Sequence, residues 1–212
     1  MADIDPVQLA VVLLVAGFFS VWYYGAFVYT RRLARRIGTE LKRAVVDLGG
    51  TSKIQWFGTT AFRMKTDDAN PPFQEFSLTV TLRPREMPIN WAIGTAQGRR
   101  DAALVEASLR KDPRIEFELV DPQTRIGRRR SRSKAGWSTV SLGGRERLLS
   151  SDDERSARRI LDSLDPSPLD AITALHVTAG KQPGIAASVS VAPGAASRGI
   201  TAIRALAERL AG

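Results

Sequence analysis

After Asp5 the next charged residue is Arg31, so residues 6–30 form a run of 25 positions without a charge. A hydrocarbon core about 30 Å thick needs roughly 20 apolar helical residues. Residues 7–29 meet that length, and their order fits a bilayer. Leu9, Val11, Val12, Leu13, Leu14 and Val15 fill the first half; Phe18, Phe19, Trp22, Tyr23, Tyr24, Phe27 and Tyr29 fill the second. Trp and Tyr favour the headgroup zone, so the aromatic half marks the end that approaches an interface. A cleaved signal peptide opens on basic residues and ends at a small-residue site. Here the N-terminus carries Asp3 and Asp5, and the aromatic end offers no A-x-A site. A buried core helix seldom has so long an uncharged stretch. Residues 1–30 are therefore expected to be an N-terminal tail and a single transmembrane anchor.

Charge sets the expected orientation. Arg31, Arg32, Arg35 and Arg36 follow the run at once, with Lys42 and Arg43 behind them, whereas only acidic residues precede it. The positive-inside rule then places the N-terminus outside and the C-terminal part in the cytoplasm, at the cell membrane. The four arginines would lie against anionic lipid headgroups, each worth about 1 kcal/mol near the surface. Leu33, Ile37, Leu41, Val45 and Leu48 continue an apolar stripe at helical spacing, and Gly49-Gly50 can end it. Residues 31–50 are thus expected to be a basic juxtamembrane helix continuous with the anchor.

Residues 51–212 are expected to form a cytoplasmic α+β domain, an antiparallel or mixed sheet with helices packed on it. Ile54, Trp56, Thr60, Phe62 and Met64 share one parity around Gly58, which predicts one long bulged strand or a tight pair. Residues 67–72 read as a turn. Phe76, Leu78, Val80 and Leu82 alternate with polar residues as in a half-buried strand. Pro88 and Trp91 read as an irregular connection, and residues 101–111 as a helix with Ala103, Leu104, Ala107 and Leu109 apolar. Ile115, Phe117 and Leu119 predict a strand, residues 123–134 a loop or disordered insertion without apolar pattern, and residues 137–142 a short strand. A subdivision of the domain near residues 143–150 is one reading; a single sheet built from both halves is preferred. Ser151 with Glu154 forms a capping-box pattern for a helix whose apolar face is Ala157, Ile160, Leu161 and Leu164, ended by Pro166 and Pro168. Residues 172–178 and 185–192 read as a hairpin, and Ser197 as the cap of a last helix with Ile200, Ile203, Leu206 and Leu210 inward.

The chemistry is mostly exclusion. There is no cysteine and a single histidine, His176, which excludes disulfides, thiol nucleophiles, Cys-ligated zinc and any multi-His metal site. The glycine-bearing segment 191–199 precedes a helix but lacks P-loop or G-x-G-x-x-G spacing. Asp67-Asp68 and Asp152-Asp153-Glu154 are explained by turn and cap geometry. No catalytic constellation emerges, no cofactor or metal is expected, and a non-enzymatic role is preferred.

What stands out is cationic. Arg125, Arg128, Arg129, Arg130, Arg132 and Lys134 put six cations into ten residues. Residues 31–134 carry 22 basic and 12 acidic residues, whereas residues 135–212 carry 9 and 8. The charge is therefore localised; an anionic lipid surface near the tether is its expected partner, with a simply solvated loop as the plain alternative. Nucleic-acid or ribosome contact ranks lower, because no aromatics are interleaved for base stacking. Trp56 and Phe57 put aromatics on both faces of one strand; core packing is the expected reason, a protein partner the alternative. The expected function is to bind or organise a partner of unknown identity at the membrane surface, with a lipid or small anionic ligand-binding domain as alternative.

Overall fold

The uncharged run is the front of a single helix, α1 (Pro6–Val46), 41 residues long. Asp5 caps it by accepting from the Val7 N–H at 2.9 Å, and Pro6 supplies a first-turn residue that needs no N–H partner. The computed structural model describes residues 5–133 and 136–212. Along the front of α1 the side chains up to Val21 are exposed, Trp22 and residues 26–28 are half-buried, and the segment is long and apolar enough to cross a membrane. From Thr30 onward one face sinks into the domain: Ala34, Ile37, Leu41 and Val45 are buried, as is Leu48 beyond the helix end. The juxtamembrane stripe read from the sequence is thus the part of α1 that packs on the domain.

The rest is a nine-stranded antiparallel sheet in the order β1-β2-β3-β4-β9-β8-β5-β7-β6. Its strands are β1 (Thr51–Phe57), β2 (Ala61–Asp67), β3 (Phe73–Thr81), β4 (Ala102–Leu109), β5 (Phe117–Val120), β6 (Ser138–Leu142), β7 (Arg145–Ser151), β8 (Ile172–Thr178) and β9 (Gly184–Ser190). The helices are α1, α2 (Pro88–Ala96), α3 (Arg125–Ser133), α4 (Glu154–Asp162), α5 (Pro166–Leu169) and α6 (Ala195–Ala211). Alternate residues of the strands face a layer that contains α1, α4, α5 and α6, with Phe62, Phe76, Leu78, Leu175, Ile203 and Leu206 fully buried between sheet and helices. The opposite face is polar, with pairs such as Arg63–Glu106 at 3.2 Å. One buried face and one wet face is what an antiparallel sheet permits and a parallel one seldom does.

Several expectations are met in register. Ile54 pairs with Met64 and Trp56 with Phe62 across a turn at Gly58, whose φ of +74° suits glycine; the shared parity belongs to a tight pair. The turn at 67–72, the 172–190 hairpin and the inward face of the last helix are as read.

Others are corrected. Residues 102–109 are not a helix but the interior strand β4, with Ala103, Val105, Ala107 and Leu109 buried and Leu104 outward. β3 and β9 flank it on both sides, and the ladder overrides the helical bias of its alanines and leucines. Pro88 does not break the chain; it occupies the first turn of α2, where proline is tolerated. Residues 125–133 are helical although they carry no apolar stripe, since arginine is a good helix former. Residues 145–151 are strand β7, joined to β6 by Gly143-Gly144 at positive φ.

The helix caps also move. The N-cap of α4 is Asp153, which accepts from Ser156 N–H at 3.1 Å, while Ser151 ends β7 and accepts from Asp153 N–H at 3.2 Å. α4 stops before the prolines, and Pro166 opens the short α5 behind its cap Asp165. Gly194, at φ +72°, rather than Ser197, caps α6. Trp56 and Phe57 are not core. β1 is an edge strand, and both side chains are 50% exposed.

Candidate membrane-proximal interface

Strand registers define which chain segments leave the sheet at one edge. The β1–β2 turn at Gly58, the end of β3 at Thr81, the start of β4 at Ala102 and the end of β9 at Ser190 share that edge. The end of β5 at Val120 and the β6–β7 turn follow on it through β8 and β7. α1 enters the domain at this same edge, where Phe27, Arg31, Ala34 and Arg35 border a groove closed by Trp56, Gly58 and Thr59. At the other end of α1, Leu48 O accepts from Asn70 N–H at 2.8 Å beside the β2–β3 turn.

Arg31, Arg32, Arg35 and Arg36 are all exposed around α1. Arg31 and Arg35 look onto the β1–β2 turn, and Arg36 onto a second groove between α1 and α6 that also holds Arg43 and Arg204. On α3, Arg125, Arg128, Arg129, Arg130 and Arg132 are exposed too. Among the described residues only Arg130 of these five has an ion pair, with Glu118 at 3.7 Å, and it also lies 5.6 Å over the Trp137 ring. Lys134 lies outside the described residues. The helical form of α3 spreads its arginines around an axis rather than along an extended loop. The two basic groups share an edge but not a patch. Six strand spacings separate β1 from β5, about 29 Å at roughly 4.8 Å each.

The chain between β3 and β4 adds a part that sequence reasoning missed. Its neck is closed by Asp101, whose Oδ1 accepts from the Arg83 N–H at 2.7 Å and whose Oδ2 accepts from Arg85 Nη2 at 2.6 Å. Arg85 also stands 5.5 Å over the Tyr29 ring, and its carbonyl accepts from Trp22 Nε1 at 2.9 Å. Trp22 in turn packs on Trp91 of α2, ring centroids 5.8 Å apart. The loop is thereby docked on the exposed front of α1. The only local signal was the apolar content of residues 87–96 with Trp91 at its centre; the partners on α1 lie 56 to 69 positions away.

Other candidates resolve into structure. The N-terminus of α6, at the end of the glycine-bearing segment, is occupied by Glu40 of α1, which accepts from Ser197 Oγ at 3.1 Å and Gly194 N–H at 3.4 Å. Lys65 sits between Asp67 at 2.9 Å and Glu75 at 3.4 Å. The hydrogen bond that Lys65 donates holds the Asp67 carboxyl below its ordinary value, and donating to Asp67 and then to Glu75 holds the Lys65 ammonium above its own. His176 is exposed on β8, opposite Glu118 and Ala186. No cluster of three metal-binding side chains occurs among the described residues. Compared with known proteins, the chain matches no family model and no curated protein.

Proposed function

We propose that this is a single-pass membrane protein whose cytoplasmic α+β domain binds or organises a protein partner at the membrane surface, without catalysis. The carrying observation is the continuity of α1. Its exposed apolar front and its buried rear are one helix, so a spanning segment would hold the domain rigidly rather than on a flexible tether. The arginines around residues 31–36 follow the apolar run, which favours the N-out, C-in orientation and contact with anionic headgroups. The partner surface is the open edge of the sheet. β1 has a free ladder side and exposes Ile54, Trp56 and Phe57, where another protein can add contacts.

The test uses the tagged full-length chain. The reading expects it to stay with membranes through an alkaline wash and to co-purify with a stoichiometric protein in gentle detergent. It also expects a single cysteine placed at Ala186 to react with an impermeant maleimide only after lysis. Release by the alkaline wash would overturn the anchor; turnover of a substrate by the purified protein would overturn the non-catalytic role.

A second reading, a small anionic or lipid ligand, has one observation in its favour. The groove between α1 and α6 gathers Arg36, Arg43 and Arg204. Stoichiometric lipid in place of a protein companion would favour it. Nucleic-acid contact through α3 ranks third, because the helix carries no aromatic of its own and Trp137, beside it, already faces Arg130.

A further inference from the structure

We propose that α2 is a second membrane-contacting element, lying in the interface with Met87, Ile89 and Ile93 among the lipids of the leaflet that α1 leaves. The inference rests on the reading of α1 as a spanning helix. Of the nine residues of α2 only Gly94 is buried. Ile89, Ala92, Ile93 and Ala96, at i, i+3, i+4 and i+7, form one exposed stripe, and Met87, Ile89 and Ile93 are 55%, 64% and 50% exposed. A helix built for water carries charge on such a face; residues 87–98 carry none.

Position selects the occupant. Trp22, on which Trp91 packs, precedes Arg31 by nine residues, about 13 Å along the helix axis. The uncharged run exceeds the roughly 20 residues that a bilayer core needs by about five, so its aromatic end belongs to the boundary between acyl chains and headgroups. α2 is docked at that level, continuous with the lipid-facing surface of α1. An in-plane helix sits about 5–10 Å into that boundary. The charge pattern agrees. Arg99 and Arg100 are exposed just past the C-terminal end of α2, and Arg31 and Arg32 are exposed on the neighbouring α1, all suited to anionic headgroups. The Asp101–Arg85 clamp and the Trp22 hydrogen bond fix the depth, so the element is positioned before lipid arrives.

Because the chain has no cysteine, single-cysteine variants report cleanly. The full-length protein would be reconstituted into vesicles of zwitterionic and anionic phospholipid with an environment-sensitive fluorophore at Ile93→Cys, Leu13→Cys or Ala186→Cys. Quenching by lipids spin-labelled high on the acyl chain is compared with quenching by aqueous iodide. The proposal expects lipid quenching at positions 13 and 93, and iodide quenching at 93 several-fold weaker than at 186; Ile89→Cys should repeat the result at 93. Lipid quenching at 13 with iodide access at 93 would overturn the role of α2 and leave the anchor standing. Absence of lipid quenching at 13 would remove the anchor and the proposal together. A position 93 shielded from both quenchers would mean that protein covers α2, which also overturns the assignment to lipid.

Discussion

Glu40 of α1 closes the N-terminus of α6. Its carboxylate accepts from Ser197 Oγ at 3.1 Å and from the Gly194 N–H at 3.4 Å, residues more than 150 positions away. An acidic group at a helix N-terminus is favoured by the partial positive charge of the unpaired N–H groups. Here it also fastens the helix that leaves the apolar segment to the last helix of the domain. Glu40→Ala should lower stability by about 1 kcal/mol, read as a denaturant midpoint shift of the full-length protein in detergent. An unchanged midpoint would show that packing alone joins α1 to α6.

Arg147 is the one buried arginine among the described residues, 4% exposed, with Asp121 at 3.2 Å and Asp170 at 4.0 Å. It ties β7 to the turn that leads into α3 and to the end of α5. Arg147→Ala should cost roughly 2–3 kcal/mol. That lies at or below the lower end of the range for a broken buried pair, because both aspartates keep part of their hydration. Urea unfolding measures it; a loss under 1 kcal/mol would mean that water replaces the guanidinium.

Gly199 of α6 has no room for a side chain, since an added Cβ would collide with the Val189 side chain at Cγ1. Gly17, by contrast, has nothing within 4 Å. Gly199→Ala should therefore push α6 off β9 at about 1–3 kcal/mol, whereas Gly17→Ala should leave domain unfolding unchanged. Equal midpoints for the two variants would contradict the close approach of α6 to β9.

The α4 cap gives a pH dependence. The Ser156 hydroxyl, then its backbone N–H, hold the Asp153 carboxyl below its ordinary value. A carboxyl with a depressed folded pKa contributes fully above its unfolded pKa, near 3.8, and loses the contribution as pH falls through the lower folded value. The stability gap between wild type and Asp153→Ala should be constant from pH 7 to about 5 and shrink below about 3.8. Denaturant midpoints across that range decide it. A gap that persists undiminished well below pH 3 would assign the cap to the neutral acid.

Under the proposed function, the arginines of α3 should meet anionic lipid. In nanodiscs, tryptic cleavage within residues 125–132 should slow several-fold when zwitterionic lipid is replaced by a mixture with anionic lipid. The difference should fade in 0.5 M salt, a condition that shortens the Debye length to about 4 Å. Cleavage at Lys181, in the β8–β9 turn, serves as the control. Equal rates at α3 in both lipids would leave its charge simply solvated.

The legible part of this protein is what local pattern and covalent reach decide. Twenty-five uncharged residues can form an exposed helix long enough for a bilayer, whatever follows them. Strict alternation in β3 and a tight turn at Gly58 have local causes, and so do the inward stripe of α6 and the four arginines after the apolar run. Non-local pairing decided the rest. Ala103, Leu104, Ala107 and Leu109 suit a helix face as well as a strand face; only the ladders from β3 and β9 chose the strand. α3 has no apolar face to announce it, and α2 has one that the domain leaves uncovered. The basic residues were visible one by one, but their separation across the sheet was not. Nor could spacing reveal that Trp22, Tyr29, Arg85, Trp91 and Asp101 form one joint, because contacts between α1 and the β3–β4 connection, across more than 50 positions, are set by the sheet that brings the strand ends together.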